Sequence, residues 1–276
     1  MALDPKVRDS VPYTIGFAIA VCVVCALAVS VAAVGLQPRQ EANARAYMHK
    51  NVLIAAGLVQ PGERVTDAEV RRLLAERVEV RLLDFASGEL LPAEKIDALA
   101  YDQRRARNDP ATSRPAPPNR AGIPRLPNYG QIYFVRKDGR VDQVVLAVEG
   151  LGMWGTIYGF VSLAPDGRTI RGLTYYDQKE TPGLGGEIGN PSWQSLWRGR
   201  KGYDEQGKAR ITVVKGQAGP PEQDPLHVDG LSGATITSNA ITHLMQFWLS
   251  EQGYGRWLES FRKAQAGEGG QDKGGG

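Results

Sequence analysis

Near its C-terminal end the chain reads Asp229-Gly230-Leu231-Ser232-Gly233-Ala234-Thr235-Ile236-Thr237-Ser238, a stretch crowded with hydroxyls and small residues. Directly after it, Ile241, Leu244, Met245, Trp248 and Leu249 recur at the spacing of one apolar helix face. The hydroxyls therefore stand at a helix N-terminus, where the first amide N–H groups lack intrahelical partners and the dipole favours an anion. Gly233 and Ala234 leave room for a bulky group to approach the backbone. Two chemistries fit this pattern. One is a plain N-cap, in which Ser or Thr satisfies the first amides; the other is a phosphate site flanked by hydroxyls.

Two further stretches are dense in glycine, Gly150-Leu151-Gly152-Met153-Trp154-Gly155 and Glu180-Thr181-Pro182-Gly183-Leu184-Gly185. Alone they are turns at which backbone can come close to a ligand. Asp-x-x-Ser-Gly-Ala-Thr over 229–235 resembles the flavinylation motif of the FMN-binding domain family, and Glu-Thr-Pro-Gly-Leu-Gly resembles a second signature of that family. The family includes the C subunit of the sodium-translocating NADH:quinone oxidoreductase and the G subunit of the related Rnf complex. The resemblance implies covalent FMN, esterified through its phosphate to Thr235, with Ser232, Gly233 and Ala234 beside it and Thr237 the nearest rival hydroxyl. A flavin ring is large and apolar with polar edges, so it needs flat apolar walls and a few donors. Trp154, Leu184 and Gly185 are the candidate walls and Thr181 the candidate hydrogen-bonding contact; Trp154 also suits a core position. Asp229 and Glu180 are the acidic residues nearest the motifs, and Asp229 is a candidate for positioning the threonine or a metal-bound FAD donor during attachment by a flavin transferase.

The elements that must place these residues follow from periodicity. Ile132–Arg136 with Val141–Val148, and Ile157–Leu163 with Ile170–Tyr176, read as strand pairs around turns at Lys137–Arg140 and Pro165–Gly167. Arg210–Val214 reads as a fifth strand. Asn190 is a cap and Pro191 a first helical residue, with Trp193, Leu196 and Trp197 inward. The flavin-site helix is expected to run to about Gln252, and Tyr254–Lys263 is a last amphipathic piece. Strands, then helix, strand and helix, suggest an α+β domain with a mostly antiparallel sheet.

Upstream, Thr14 to Leu36 carries no charge, and a helix of that length spans a hydrocarbon core of about 30 Å. It is longer than the apolar part of a cleaved signal, so it reads as a signal-anchor. Cys22 and Cys25, the whole cysteine supply, lie inside it as small packable side chains. Basic residues flank both ends, so charge does not orient the span. Gln40–Leu58 is helical, with Tyr47 and Met48 as packing residues and His49 solvated. Thr66-Asp67-Ala68-Glu69 is a capping box opening a helix to about Arg77, and Val78–Leu82 alternates like a strand running into Asp84–Glu89. Residues 103–128, rich in proline after Arg104, Arg105 and Arg107, predict no regular element, the arginines being a solvated run or a contact for headgroups or a partner.

Net charge is +3, too small for nucleic-acid binding to follow, and no Walker loop, dinucleotide fingerprint or Ser-His-Asp set appears. His227 and His243 lack a third ligand in a zinc pattern. The expected organisation is a cytoplasmic N-terminus (1–12), a transmembrane helix (13–36), juxtamembrane helices and a Pro-rich connection (37–128), an FMN-binding domain (129–264) and a disordered tail (265–276). The resemblance implies a single-pass inner-membrane protein with a periplasmic domain, relaying electrons within a multi-subunit respiratory complex whose NADH and quinone sites lie on other subunits. The extra region 50–128 suits the quinone reductase, the Rnf protein being shorter. A membrane-tethered module carrying no flavin, with Thr235 only a cap, is the alternative of another class.

Overall fold

The structure, a computed structural model, describes residues 10–271. It divides into two units, Met1–Tyr47 and Met48–Gly276. The first unit consists of helix α1 (Val11–Ala55) up to Tyr47; the last turns of α1 belong to the second. The sequence separates this helix into 13–36 and 40–58, yet one helix runs from Val11 through Pro38 and ends at Ala55, three residues short of the second segment's expected end. A proline inside a helix removes one backbone hydrogen bond and crowds the carbonyl four residues back, yet the helix runs on past it. Its apolar stretch has a mean hydropathy of 2.9, none of it buried, and is long and apolar enough to cross a membrane. Cys22 and Cys25 are exposed on it.

In the second unit Asn51, Val52, Leu53 and Ala55 are buried, while Met48 and His49 are half-buried. His49 is thus less solvated than its isolation in the sequence predicts, and Tyr47, just outside this unit, is exposed. The helix stops in a Schellman motif: Gly57 takes φ +68, its N–H donates to Ile54 O (2.9 Å), and Leu58 N–H donates to Leu53 O (2.9 Å). Thr66 caps α2 (Asp67–Arg77), its hydroxyl accepting from Glu69 N–H at 3.2 Å, and Val70 and Leu74 pack on Leu53 and Val59.

Five antiparallel strands form the main sheet. They are β1 (Val78–Asp84), β4 (Tyr129–Lys137), β5 (Arg140–Leu151), β6 (Thr156–Leu163) and β7 (Ile170–Asp177), in the order β1-β4-β5-β6-β7. Alternation assigns the faces. Tyr133, Val135, Val145 and Phe160 point toward Val52, Ala55 and Ala56 at the end of α1, where Gln143 Nε2 donates to Ala56 O (2.7 Å). Ile132, Phe134, Val144, Leu146, Val148 and Val161 point the other way, toward α5 (Thr235–Leu249) and α6 (Gly255–Gln271). The chain is α+β, helices covering both faces of an antiparallel sheet.

Several expectations change. The fifth strand of the sheet is β1 rather than 210–214, where only β8 (Thr212–Val213) forms, in a separate parallel pair with β9 (His227–Val228). Val213 N–H instead donates to Thr242 Oγ1 on α5 (2.9 Å), which takes this segment away from the sheet. Within 103–128, α3 (Gln103–Asn108) forms behind an Asp102 cap, and β2 (Ser113–Pro115) pairs with β3 (Arg125–Pro127). The prolines sit at the ends of these strands, and Asn119 bridges the loop between them by accepting from Ile123 N–H and donating to Ile123 O. α4 (Pro191–Ser195) starts with Asn190 accepting from Ser192 N–H; Trp193 and Trp197 are buried and Leu196 is half-buried. The helix after the hydroxyl-rich stretch ends at Leu249, a few residues earlier than the pattern suggests, and α6 runs on through Gln271. Residues 1–9 and 272–276, which hold most of the expected N-terminal segment and the end of the expected tail, lie outside the described residues.

Candidate functional site

Helix α5 begins at Thr235, and its N-cap is Ala234 (φ −127, ψ 50), which makes no side-chain cap bond. The plain-cap reading of the hydroxyls therefore fails. Gly233 adopts φ +69, a left-handed turn open to glycine, and this places Ser232 outside the helix and Thr235 already within its first turn. Ser238 is occupied from below, its hydroxyl accepting from Leu231 N–H (3.3 Å). Thr235 is exposed. Thr237, two residues on, is only 2% exposed, and its hydroxyl donates to Glu180 Oε2 at 2.5 Å.

Glu180 stands out in the sequence only as an acidic residue near the motifs, yet in the fold it joins all three. It is 4% exposed. Besides the bond from Thr237, its Oε1 accepts from the backbone N–H of Trp154 (3.0 Å). A Cβ on Gly152 would lie 2.5 Å from Oε1, and one on Gly185 would lie 3.0 Å from Oε2 and against Thr237 Oγ1, so both glycines are closed to side chains. The signal available in the sequence was a lone acidic residue opening a glycine loop.

Trp154 lies outside the core, 62% exposed, and its indole N–H donates to Thr181 Oγ1 at 3.1 Å. Leu184, 43% exposed, borders Gly233, on which a Cβ would stand 3.0 Å from Leu184 Cδ2. The expected site residues Trp154, Thr181, Leu184, Gly185 and Gly233 are thus brought together around the start of α5. Among the described residues of the second unit, the exposed large apolar side chains are Leu99, Leu151, Met153, Trp154, Leu184 and Ile236, and all but Leu99 lie in these three motifs or next to one. Exposed apolar side chains gathered at an uncapped helix N-terminus offer one anion-binding end and a flat, water-excluding surface.

Asp229 is turned elsewhere: its Oδ1 accepts from Ala218 N–H (3.0 Å) and its backbone O from Trp193 Nε1–H (2.9 Å). His227 Nδ1 lies 2.6 Å from Asp224 Oδ1, and among the described residues no group of three His, Cys, Asp or Glu side chains gathers for a metal. Burial lowers the basicity of His243, and the nearby Arg120 lowers it further.

The floor beneath the site is β5. Gly150 faces α5, where a Cβ would come within 2.9 Å of Leu244 Cβ, and Trp248 Nε1–H on α5 donates to the Glu149 carbonyl (2.6 Å). The Glu149 side chain projects from the other face of the strand, where Arg107 Nη1 on α3 lies 3.0 Å from its Oε2. Burial raises this carboxyl above the usual range, although Arg107 opposes the shift. Arg107 also donates to Tyr158 Oη (3.0 Å), and Arg104 lies 3.9 Å over the Tyr158 ring, so two of the three arginines expected to be solvated fasten α3 to the sheet, while Arg105 is exposed.

The model of the family described as FMN-binding domain matches residues 152–250, which contain all three motifs but for the first two residues of the first. The C subunit of the Na(+)-translocating NADH-quinone reductase of Yersinia pestis is 44% identical over 267 residues, covering 95% of this chain and 98% of that protein. The protein of the same name from Pseudomonas aeruginosa is 39% identical over 262 residues, covering 94% and 99%. The crystal structure of Shewanella oneidensis NqrC matches with a TM-score of 0.73 at 32% identity, over 80% of this chain and 99% of that one. Likeness of this extent spans both the apolar helix and the sheet domain, and the chain belongs to the NqrC family, the C subunits of Na(+)-translocating NADH-quinone reductases.

Proposed function

We propose that this chain is the membrane-anchored electron-transfer subunit of a Na+-translocating NADH:quinone reductase, carrying FMN esterified to Thr235. The observation that carries the site is the contrast between two threonines on one helical turn: Thr235 is exposed at an uncapped helix start, and Thr237 is buried with its hydroxyl donated to Glu180. The residues fit the group. The amides opening α5 would hold the phosphate, and Ser232, Gly233 and Ala234 would let it approach. Trp154 and Leu184, both exposed, would cover the ring, with Thr181 holding the Trp154 indole, whereas Gly185 is buried against Glu180 and Thr237 and would serve the ring only through them. The chemistry FMN supplies when bound is reversible uptake and release of single electrons. The chain's own part is to hold the phosphate, orient the ring and keep water from one of its faces.

In this reading residues 129–264 are the flavin-carrying domain, joined by 37–128 to a single span at 13–36, with residues 1–12 cytoplasmic and the domain periplasmic. NADH and quinone are handled by other subunits, and attachment is the work of a flavin transferase. The test is intact mass spectrometry of the full chain from a host with that transferase. An added mass matching FMN is expected, absent from Thr235→Ala, with the flavin released by protease added outside intact spheroplasts. An unmodified wild-type chain, or modification surviving Thr235→Ala, would refute the assignment.

A further inference from the structure

We propose that Glu180 is the positioning residue of the site: its buried carboxylate sets the register between the Trp154 loop and the first turn of α5, and so the outward aim of Thr235. The proposal rests on the reading of Thr235 as the attachment point. It stands on a geometry in which three segments far apart in sequence meet at two oxygens. Oε1 accepts from Trp154 N–H at 3.0 Å, and Oε2 accepts from Thr237 Oγ1 at 2.5 Å. Glu180's own N–H donates to Gln178 Oε1 (2.5 Å), which fixes the backbone from which the side chain departs. Gly152 and Gly185 wall the carboxylate on both sides, without room for a Cβ.

A carboxylate suits this place for two reasons. It accepts from both donors with neither oxygen left over, and ionised acceptors make the stronger bonds. It also lies against the third residue of α5, where the helix dipole favours negative charge. One helix end then serves two anions, Glu180 on the inner side and the phosphate on the outer. Trp154 is tied at both ends of this arrangement, by its backbone to Glu180 and by its indole to Thr181. A change at Glu180 therefore reaches the attachment point and the apolar wall together. A fixed negative charge at this depth also disfavours an added electron on a ring lying over Trp154.

The experiment uses the full chain, coexpressed with limiting flavin transferase and purified in detergent. It reads the fraction modified over time, the midpoint potential of the loaded flavin, and the melting temperature. Thr237→Val removes the donor while keeping the shape, and attachment should slow by about tenfold, the size of one lost bond to a charged acceptor. Thr237→Ser restores the hydroxyl and should recover most of the rate. Glu180→Gln keeps the shape and removes the charge, so its loaded fraction should show a more positive midpoint potential. Wild-type attachment rate in Thr237→Val together with an unshifted potential in Glu180→Gln would overturn the proposal alone. Modification that survives Thr235→Ala would overturn the attachment reading and this proposal with it.

Discussion

Replacing Arg107 by Met tests the polar layer beneath the site. In the wild type Arg107 Nη1 lies 3.0 Å from Glu149 Oε2, with side-chain exposures of 11% and 7%. Met keeps much of the stem but removes the charge, leaving Glu149 buried. The carboxyl then has one inexpensive response, to take up a proton, and this sets a ceiling on the pH-dependent part of the loss, to which the lost bond to Tyr158 adds a part that does not vary with pH. Against an ordinary value of 4.5, holding the group neutral at pH 7 costs about 3.4 kcal/mol, at 1.36 kcal/mol per pH unit. Arg104 remains near and softens the loss, so about 2–3 kcal/mol is expected at neutral pH. The sign follows from proton linkage. A carboxyl whose folded pKa is raised makes its contribution below the unfolded value and loses it as pH rises toward the folded one. The Glu149 part of the difference between variant and wild type should therefore shrink to roughly 0.7 kcal/mol at pH 5, close to the unfolded value. Urea unfolding of the full chain in detergent, followed by tryptophan fluorescence, reads this directly, because Trp154, Trp193, Trp197, Trp248 and Trp257 all lie in the second unit. Adding Glu149→Gln should recover part of the loss. A difference below about 1 kcal/mol at pH 7, or one flat from pH 5 to 8, would refute the argument that this pair is a buried charge kept by its partner.

Gly150→Ala should cost about 1–3 kcal/mol by overpacking, since its methyl meets Leu244 in the core; α5 is displaced with it, so the flavin content of the purified chain should fall as well. A melting temperature and intact mass check both, and unchanged values in each would show that the contact relaxes freely. His243, held below its ordinary 6.5 first by burial and then by Arg120, should make stability fall as pH drops through that value, because the unfolded chain binds the proton more readily. Unfolding midpoints from about pH 5 to 8 should show a shallower slope in His243→Gln, and equal slopes would remove His243 from the account.

What the sequence discloses here is mostly local. The turn between β4 and β5 was readable because Asp138 and Gly139 adopt φ of 51 and 79, the left-handed pair that Asp-Gly favours. The Thr66 cap and the Asn190-Pro191 start were readable because capping is a matter of three or four residues. β1 was readable as a strand but not as the sheet's edge, because its pairing with β4 spans a long excursion that no periodicity anticipates. The short elements within 103–128 depend on side-chain bonds from Asp102 and Asn119, which composition cannot show. At the site, the segments matched by the FMN-binding domain family were legible by resemblance. The role of Glu180 was not, since its partner Thr237 lies 57 positions away and belongs to another motif.

Gly233 and Ala234 have a consequence for maturation. In a nascent chain a modifying enzyme would encounter Thr235 and Thr237 as near-equals, separated by one isoleucine. Once the left-handed turn at Gly233 has started α5, one of them is withdrawn beneath the surface and the other presented. Under the attachment proposed for Thr235, discrimination between neighbouring hydroxyls would fall to the folding of the substrate, since the folded chain presents one and withdraws the other.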